Sequence, residues 1–172
     1  MEMILKFDDK VMRFVNKNLR NKTVDKIMRF VTALGDNGAV WLGIAFCLMM
    51  LGGKKRKAGW LMLLSLGVEA AACNLVIKPA VARIRPNDKP DFKLTIKKPK
   101  DYSFPSGHTA ASFAAAYSMC LSGGKKGIYM IYGAVLMGIS RIYLLVHYPL
   151  DVIAGAVLGL GSALFVHKID KI

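Results

Sequence analysis

The chain alternates long apolar runs with short, sharply polar breaks, and the length of each run decides what it can become. Residues 58–77 (AGWLMLLSLGVEAAACNLVI) and 128–146 (IYMIYGAVLMGISRIYLLV) reach the roughly 20 mostly apolar residues that a helix needs to cross a bilayer's hydrocarbon core. Residues 152–167 (VIAGAVLGLGSALFVH) are somewhat shorter. Residues 38–51 and 109–122 are shorter still, each extending into its flanks. A buried core helix would account for any one of these runs. Five in series, with few charges inside, predict an all-α, polytopic membrane helical bundle of about five to six transmembrane helices.

The first thirty residues have a different pattern. Ile4, Phe7, Val11, Phe14 and Val15 recur at helical spacing, while Lys6, Lys10, Arg13, Lys17, Arg20, Lys22, Lys26 and Arg29 are threaded between them. No compact apolar segment of signal-peptide type is present, so residues 1–30 predict an amphipathic helix lying in the membrane interface, with docking on protein as the alternative. A GDNG turn at 35–38, a basic turn GGKKRKAG at 52–59 and a tight GGKKG turn at 123–127 separate the runs. A long polar loop runs from Lys78 to about Ser106. It holds Pro79, Pro86, Pro90, Pro99 and Pro105, so it is not helical throughout. No internal repeat breaks what reads as one domain over 1–172.

Alternation sets the sides. The two Lys-rich turns and the tail HKIDKI share one face of the membrane, and the long loop and the link HYPLD share the other. Positively charged short turns stay in the cytoplasm, so the long loop faces outward. With five spans the basic N-terminal helix also lies outside, unless residues 24–37 cross or re-enter. This places the protein in the cell membrane, in bacterial terms the inner membrane.

Composition and charge narrow the partners. The chain has 172 residues, 54% of them hydrophobic, a formal charge of +14 and three cysteines; its mean hydropathy is +0.38. The cations sit between hydrophobic spans, with no basic and aromatic platform for bases, so anionic headgroups explain the charge and nucleic acid is not a partner. Cys47, Cys73 and Cys120 lie inside apolar runs, without metal-ligand spacing.

The outward face collects the chemistry. Lys78, then six residues, then Arg85-Pro86 end the second run; Pro105-Ser106-Gly107-His108 open the third; Ser140-Arg141, five residues, His147, three residues and Asp151 join the fourth to the fifth. Arg83 reads as an interfacial residue and Ser140 as helix packing. Arg141 lies in an apolar run, where a charge is costly unless paired (Asp151 is a candidate) or facing a polar cavity.

Together Lys78, Arg85 and Arg141 suit phosphate oxygens, as do a helix start at PSGH, the Ser106 hydroxyl and a close backbone approach at Gly107. If Pro149 starts the fifth helix, Asp151 falls in its first turn and can hold the His147 imidazole. His147 is then the candidate nucleophile and His108 the general acid. Two histidines and an aspartate could instead bind a metal. Three cations in the same cluster would repel one, so neither metal nor cofactor is expected. His167 reads as structural, and Glu69, buried in the second run, as paired within the bundle.

KPAVARIRP, PSGH and SRIYLLVHYPLD match the signatures K-x6-R-P, P-S-G-H and S-R-x5-H-x3-D without a departure. In these the chain resembles the type 2 phosphatidic acid phosphatase superfamily over residues 78–151. The resemblance implies a membrane helical bundle that hydrolyses lipid phosphates through a phosphohistidine, without metal. It implies His147 as nucleophile, Asp151 as its partner and His108 as acid, with Lys78, Arg85, Ser106, Gly107 and Arg141 on phosphate. The superfamily also holds soluble acid phosphatases and vanadate-binding haloperoxidases, against which the apolar runs argue. Undecaprenyl diphosphate is the favoured substrate, because an outward site suits recycling of a carrier lipid. Phosphatidic acid, phosphatidylglycerol phosphate, a lipid phosphotransferase using the same site and a non-catalytic headgroup binder are the alternatives.

Overall fold

A computed structural model describes residues 2–171 apart from 90, 91, 93–95, 97, 98 and 100, with the side chains of residues 2–5 also outside the description. Pro90 and the side chain of Ile4, both used above, therefore lie outside the described residues. Every regular element among those described is helical. Helix α1 (Glu2–Phe14) runs on into a wide turn at Val15–Leu19, and α2 (Lys22–Leu34) follows. A single turn at Asp36–Gly38 leads to α3 (Ala39–Met50). Helix α4 (Gly53–Ala71) passes through a wide turn at Ala72–Ile77 into α5 (Lys78–Val81). After the long loop come α6 (Gly107–Leu121), α7 (Gly127–Tyr143) and α8 (Pro149–Ile169).

Each predicted apolar run falls mainly within one of these helices. Gly53–Val81 and Pro149–Ile169 are long and apolar enough to cross a membrane. The pair α2 and α3, bent by 45° at Gly35, makes a third if taken as one broken span. Two boundaries move. The basic turn shrinks to Leu51 and Gly52, since Lys54 to Lys57 are good helix formers and start α4. Leu144, Leu145 and Val146 are not helical; they form a fully buried link, with Leu145 at φ 61°. Their apolar character serves a protein core, not a lipid face.

That core also takes in α1. Met12 and Val15 pack with Tyr143 to Val146 and Phe92, so the helix docks on protein. Its buried face follows Asp8, Met12 and Val15, while Phe7 and Phe14, expected to share one apolar face with Val15, are 59% and 56% exposed. Lys89 Nζ reaches Asp9 Oδ1 at 2.7 Å, which ties α1 to the start of the long loop. At the other end of the bundle, Lys57 pairs with Asp170 at 2.7 Å, joining the start of α4 to the tail.

Helices α6 and α8 cross closely because glycine permits it. A Cβ on Gly155 would stand 2.6 Å from Ser106 O, and one on Gly159 would stand 2.2 Å from Ala110 O. The two glycines are one turn apart on α8 and face residues one turn apart on α6. Their crossing sets the N-terminus of α6, and so PSGH, beside the start of α8.

Candidate active site

His147 lies in the link between α7 and α8. The Val146 and His147 N–H groups both turn back to Arg141 O, at 3.2 and 3.3 Å. Pro149, at the first position of α8, lacks the N–H to extend the preceding helix. The imidazole Nδ1 is 2.7 Å from the backbone carbonyl of Ser103. A carbonyl only accepts, so Nδ1 carries the proton and Nε2 keeps its lone pair. That Nε2 is 3.0 Å from Arg85 Nη1. Burial pushes the His147 imidazole down to about 3, helped by Arg85 and Arg141 and opposed by Asp151; at neutral pH the ring is uncharged.

Asp151 stands in the first turn of α8, as Pro149 led one to expect, but it does not hold His147 directly. Its Oδ2 is 3.7 Å from His147 Nδ1, beyond hydrogen-bond range. The carboxylate instead accepts from Ser103 Oγ at 2.5 Å, from Tyr148 N at 2.9 Å and from Arg83 Nη1 at 2.5 Å. Ser103 is the intermediary: its hydroxyl goes to Asp151 and its carbonyl to the imidazole. Arg83, read from the sequence as a plain interfacial residue, also donates to Asp8 at 2.6 Å. It is a clamp between α1 and α8.

The three cations converge. Lys78, at the start of α5, bonds Asn74 Oδ1 at 2.9 Å and pairs with Asp101. Arg85 donates to Asp101 Oδ1 at 2.7 Å, to the Asp101 carbonyl at 2.8 Å and to the Val146 carbonyl at 2.8 Å. Asp101, which the sequence did not single out, thus lays an anion across the Lys78 and Arg85 cradle. Burial would raise its carboxyl, yet the Lys78 bond and Arg85 outweigh that and hold it at about 2. Arg141 is not paired with Asp151: its Nη1 bonds Thr32 Oγ1, and its buried Nε has no hydrogen-bond partner.

PSGH opens α6 as the sequence suggests. His108 Nε2 is 2.9 Å from Asp36 Oδ1, in the bend between α2 and α3. A Cβ on Gly107 would point toward Lys78 Nζ, 3.6 Å away. Ser106 is fully buried: its N–H goes to Asp151 O at 3.0 Å and its hydroxyl accepts from Thr109 at 3.0 Å. It braces α6 against α8, and the bond from Thr109 uses its hydroxyl oxygen as acceptor, not its O–H.

Lys78, Arg85, Asp101, Gly107, His108, Arg141 and His147 line one cavity of about 380 Å³. Lys78, Asp101, Gly107 and His108 also line a larger one of about 630 Å³, which extends along α3, α4 and α6 past Leu42, Leu63 and Leu66. A polar recess thus opens into an apolar cleft, a shape for a phosphate joined to a hydrocarbon chain. Glu69 lines that cleft with its Oε1 buried and unpartnered, while its carboxyl keeps a hydrogen bond to Cys73 one turn on, a partner within the bundle. His167 bonds Ser118 at 2.9 Å at the far end, in keeping with a structural role.

A family model described as the PAP2 superfamily matches residues 58–171. An undecaprenyl-diphosphatase of Sulfolobus acidocaldarius is 34% identical over 161 residues, covering 92% of this chain and 76% of that protein. A phosphatidylglycerophosphatase B of Bacillus subtilis is 34% identical over 165 residues, covering 89% and 78%. The crystal structure of a transmembrane PAP2-type phosphatidylglycerolphosphate phosphatase from Bacillus subtilis superposes with a TM-score of 0.79 at 29% identity, covering 99% of this chain and 88% of that one.

Proposed function

The chain belongs to the PAP2 superfamily, and from that membership we propose that it hydrolyses a lipid phosphate or diphosphate at the membrane surface through a phosphohistidine. One observation carries this. His147 Nε2, its partner nitrogen held by Ser103, faces a cavity shared with Lys78, Arg85, Arg141 and His108. Nε2 attacks the terminal phosphorus, the bond from that phosphorus to the leaving oxygen breaks (the lipid oxygen in a monophosphate, the bridging oxygen of the departing lipid phosphate in a diphosphate), and His108 gives that oxygen its proton. His108 then takes a proton from water, whose oxygen attacks the phosphohistidine and releases inorganic phosphate. Lys78, Arg85 and Arg141 balance the charge on the equatorial oxygens, with the unpartnered Arg141 Nε available to one of them. Asp151 acts through Ser103.

We assign five spans, counting α2 and α3 as one, with the site and α1 on the outer face and the Lys57–Asp170 end in the cytoplasm. Undecaprenyl diphosphate is the favoured substrate, supported by the outward site and by the undecaprenyl-diphosphatase relative. Phosphatidylglycerol phosphate is the second reading, because an equally identical relative carries that activity in its name.

The test is phosphate release in detergent with EDTA, comparing the two lipids by kcat/KM. We expect activity to survive EDTA, to vanish in His147→Ala, and to favour the diphosphate. A requirement for added divalent metal would overturn the mechanism, transfer of phosphate to an acceptor lipid in place of release would make the chain a phosphotransferase, and higher kcat/KM on phosphatidylglycerol phosphate would reverse the substrate order.

A further inference from the structure

The segment that meets His108 lies outside the residues matched by the family model. Asp36 follows Gly35 in the bend between α2 and α3, and its carboxylate Oδ1 is 2.9 Å from His108 Nε2. The backbone is shaped to deliver it. Asn37 and Gly38 both take positive φ, 54° and 67°, which turns the chain sharply just after Asp36. Gly35 comes close to the ring: a Cβ there would stand 3.0 Å from His108 Cδ2 and 2.6 Å from Met137 Cε. One stretch of four residues therefore meets the Cδ2–Nε2 edge of the imidazole with close backbone and a carboxylate.

A proton donor in this cavity has an electrostatic difficulty. To act, His108 must hold two ring protons and a positive charge. Arg141 from α7 and Lys78 from α5 face the same ring, with Arg85 and His147 beyond them. Burial first, and then these like charges, disfavour the imidazolium, and a carboxylate in hydrogen-bond contact opposes them. The Asp101 carboxylate is already committed to Lys78 and Arg85. Asp36, 63% exposed at its side chain, is the carboxylate in hydrogen-bond contact with the histidine.

We propose that Asp36 is the positioning residue for His108: its carboxylate orients the ring and stabilises the protonated form that gives up the proton. The proposal rests on His108 being the proton donor of the phosphatase reaction. The imidazolium passes one N–H proton to the departing oxygen and keeps the other on Asp36. The neutral ring then takes a proton from the attacking water, restoring the pair with no net change on Asp36.

Leaving-group dependence tests this. A short-chain phosphatidic acid leaves as an alkoxide and needs a proton; p-nitrophenyl phosphate leaves as a stable phenolate and does not. Asp36→Asn should lower kcat on the lipid by roughly tenfold to a hundredfold with KM little changed, and the loss should shrink to about threefold or less on p-nitrophenyl phosphate. Asp36→Glu should recover most of the lipid activity. Adding Asp36→Asn to His108→Ala should cost nothing further. An unchanged kcat on the lipid, equal losses on both substrates, or no recovery in Asp36→Glu would overturn the proposal. Two other outcomes fall on the functional reading, and on this inference with it: an unsubstituted chain inactive on both substrates, or His108→Ala losing both equally.

Discussion

Asp101 lies across the proposed phosphate cradle, and its contacts have a kinetic consequence. Lys78 and Arg85 both pair with it, so any incoming phosphate has to displace a carboxylate. Held at about 2, that carboxylate stays ionised at every pH an assay uses, so mild acid does not clear the cradle. Asp101→Asn should therefore tighten binding of vanadate, a phosphate mimic, by roughly tenfold, the scale of one lost charged contact. The measurement is the inhibition constant against the unsubstituted chain; weaker inhibition would make Asp101 part of the phosphate grip instead. The sequence shows why this residue escaped notice. Lys78, Arg85, Arg141, His108 and His147 are chemically rare in an apolar context and stand at fixed spacing, so they announce themselves. Asp101, Asp36 and Asp8 are ordinary carboxylates in turns or on a helix, and their partners lie 23, 72 and 75 positions away in the chain. Ser103 holds His147 through a backbone carbonyl, a group every residue owns and no sequence pattern marks. The i,i+4 spacing of His147 and Asp151 suggested a direct bond, but the carboxylate turned to the Tyr148 N–H at the helix start.

Helix α8 positions both halves of the site, through Asp151 at its first turn and through its crossing with α6. That crossing depends on Gly159, where an added methyl would meet the Ala110 carbonyl at 2.2 Å, while nothing lies within 4 Å of a Cβ on Gly161. Gly159→Ala should therefore destabilise the protein by about 1–3 kcal/mol through overpacking, and Gly161→Ala should be neutral or slightly stabilising. Thermal midpoints in detergent decide it; equal shifts for both would mean that the helices part without cost. The shift should come with lost turnover, since separating α6 from α8 moves His108 away from His147. Helices of this kind are legible from sequence because bilayer thickness and core burial select the same apolar residues. That overlap also explains the misreading at Leu144 to Val146, where buried protein core looked like the end of a span. In α1 the periodicity was real, but the buried face centres on Asp8 and Met12. A carboxylate seated against Arg83 outweighs the apolar rule there.

The sidedness of the whole molecule follows from which ends the ion pairs tie together. On one side Asp8 and Asp9 of α1 bond Arg83 and Lys89 of the long loop. On the other, Lys57 bonds Asp170. A basic N-terminal helix conflicted with the positive-inside rule as long as its charges were taken as free. Within residues 1–30, Arg20 pairs with Asp25 at 3.1 Å, and the α1 carboxylates Asp8 and Asp9 pair with the loop cations Arg83 and Lys89, so α1 is tied to the loop by charge. The topological signal then rests on the short basic segments around Lys54 to Lys57 and Lys125 to Lys126. In the proposed topology, with α2 and α3 as one span bent at Gly35, both α1 and the site would come to the outer face. Cysteine labelling in intact cells tests this directly, in a background with Cys47, Cys73 and Cys120 replaced by serine or alanine and shown to retain activity. Cysteines placed at Lys10 and Lys89 should react with a membrane-impermeant maleimide from outside, and cysteines at Lys55 and Lys125 only after permeabilisation. Labelling of Lys10 and Lys89 on opposite sides would separate α2 from α3 as two crossings, and would break the link between the N-terminal segment and the active face on which the pairing of Asp36 with His108 depends.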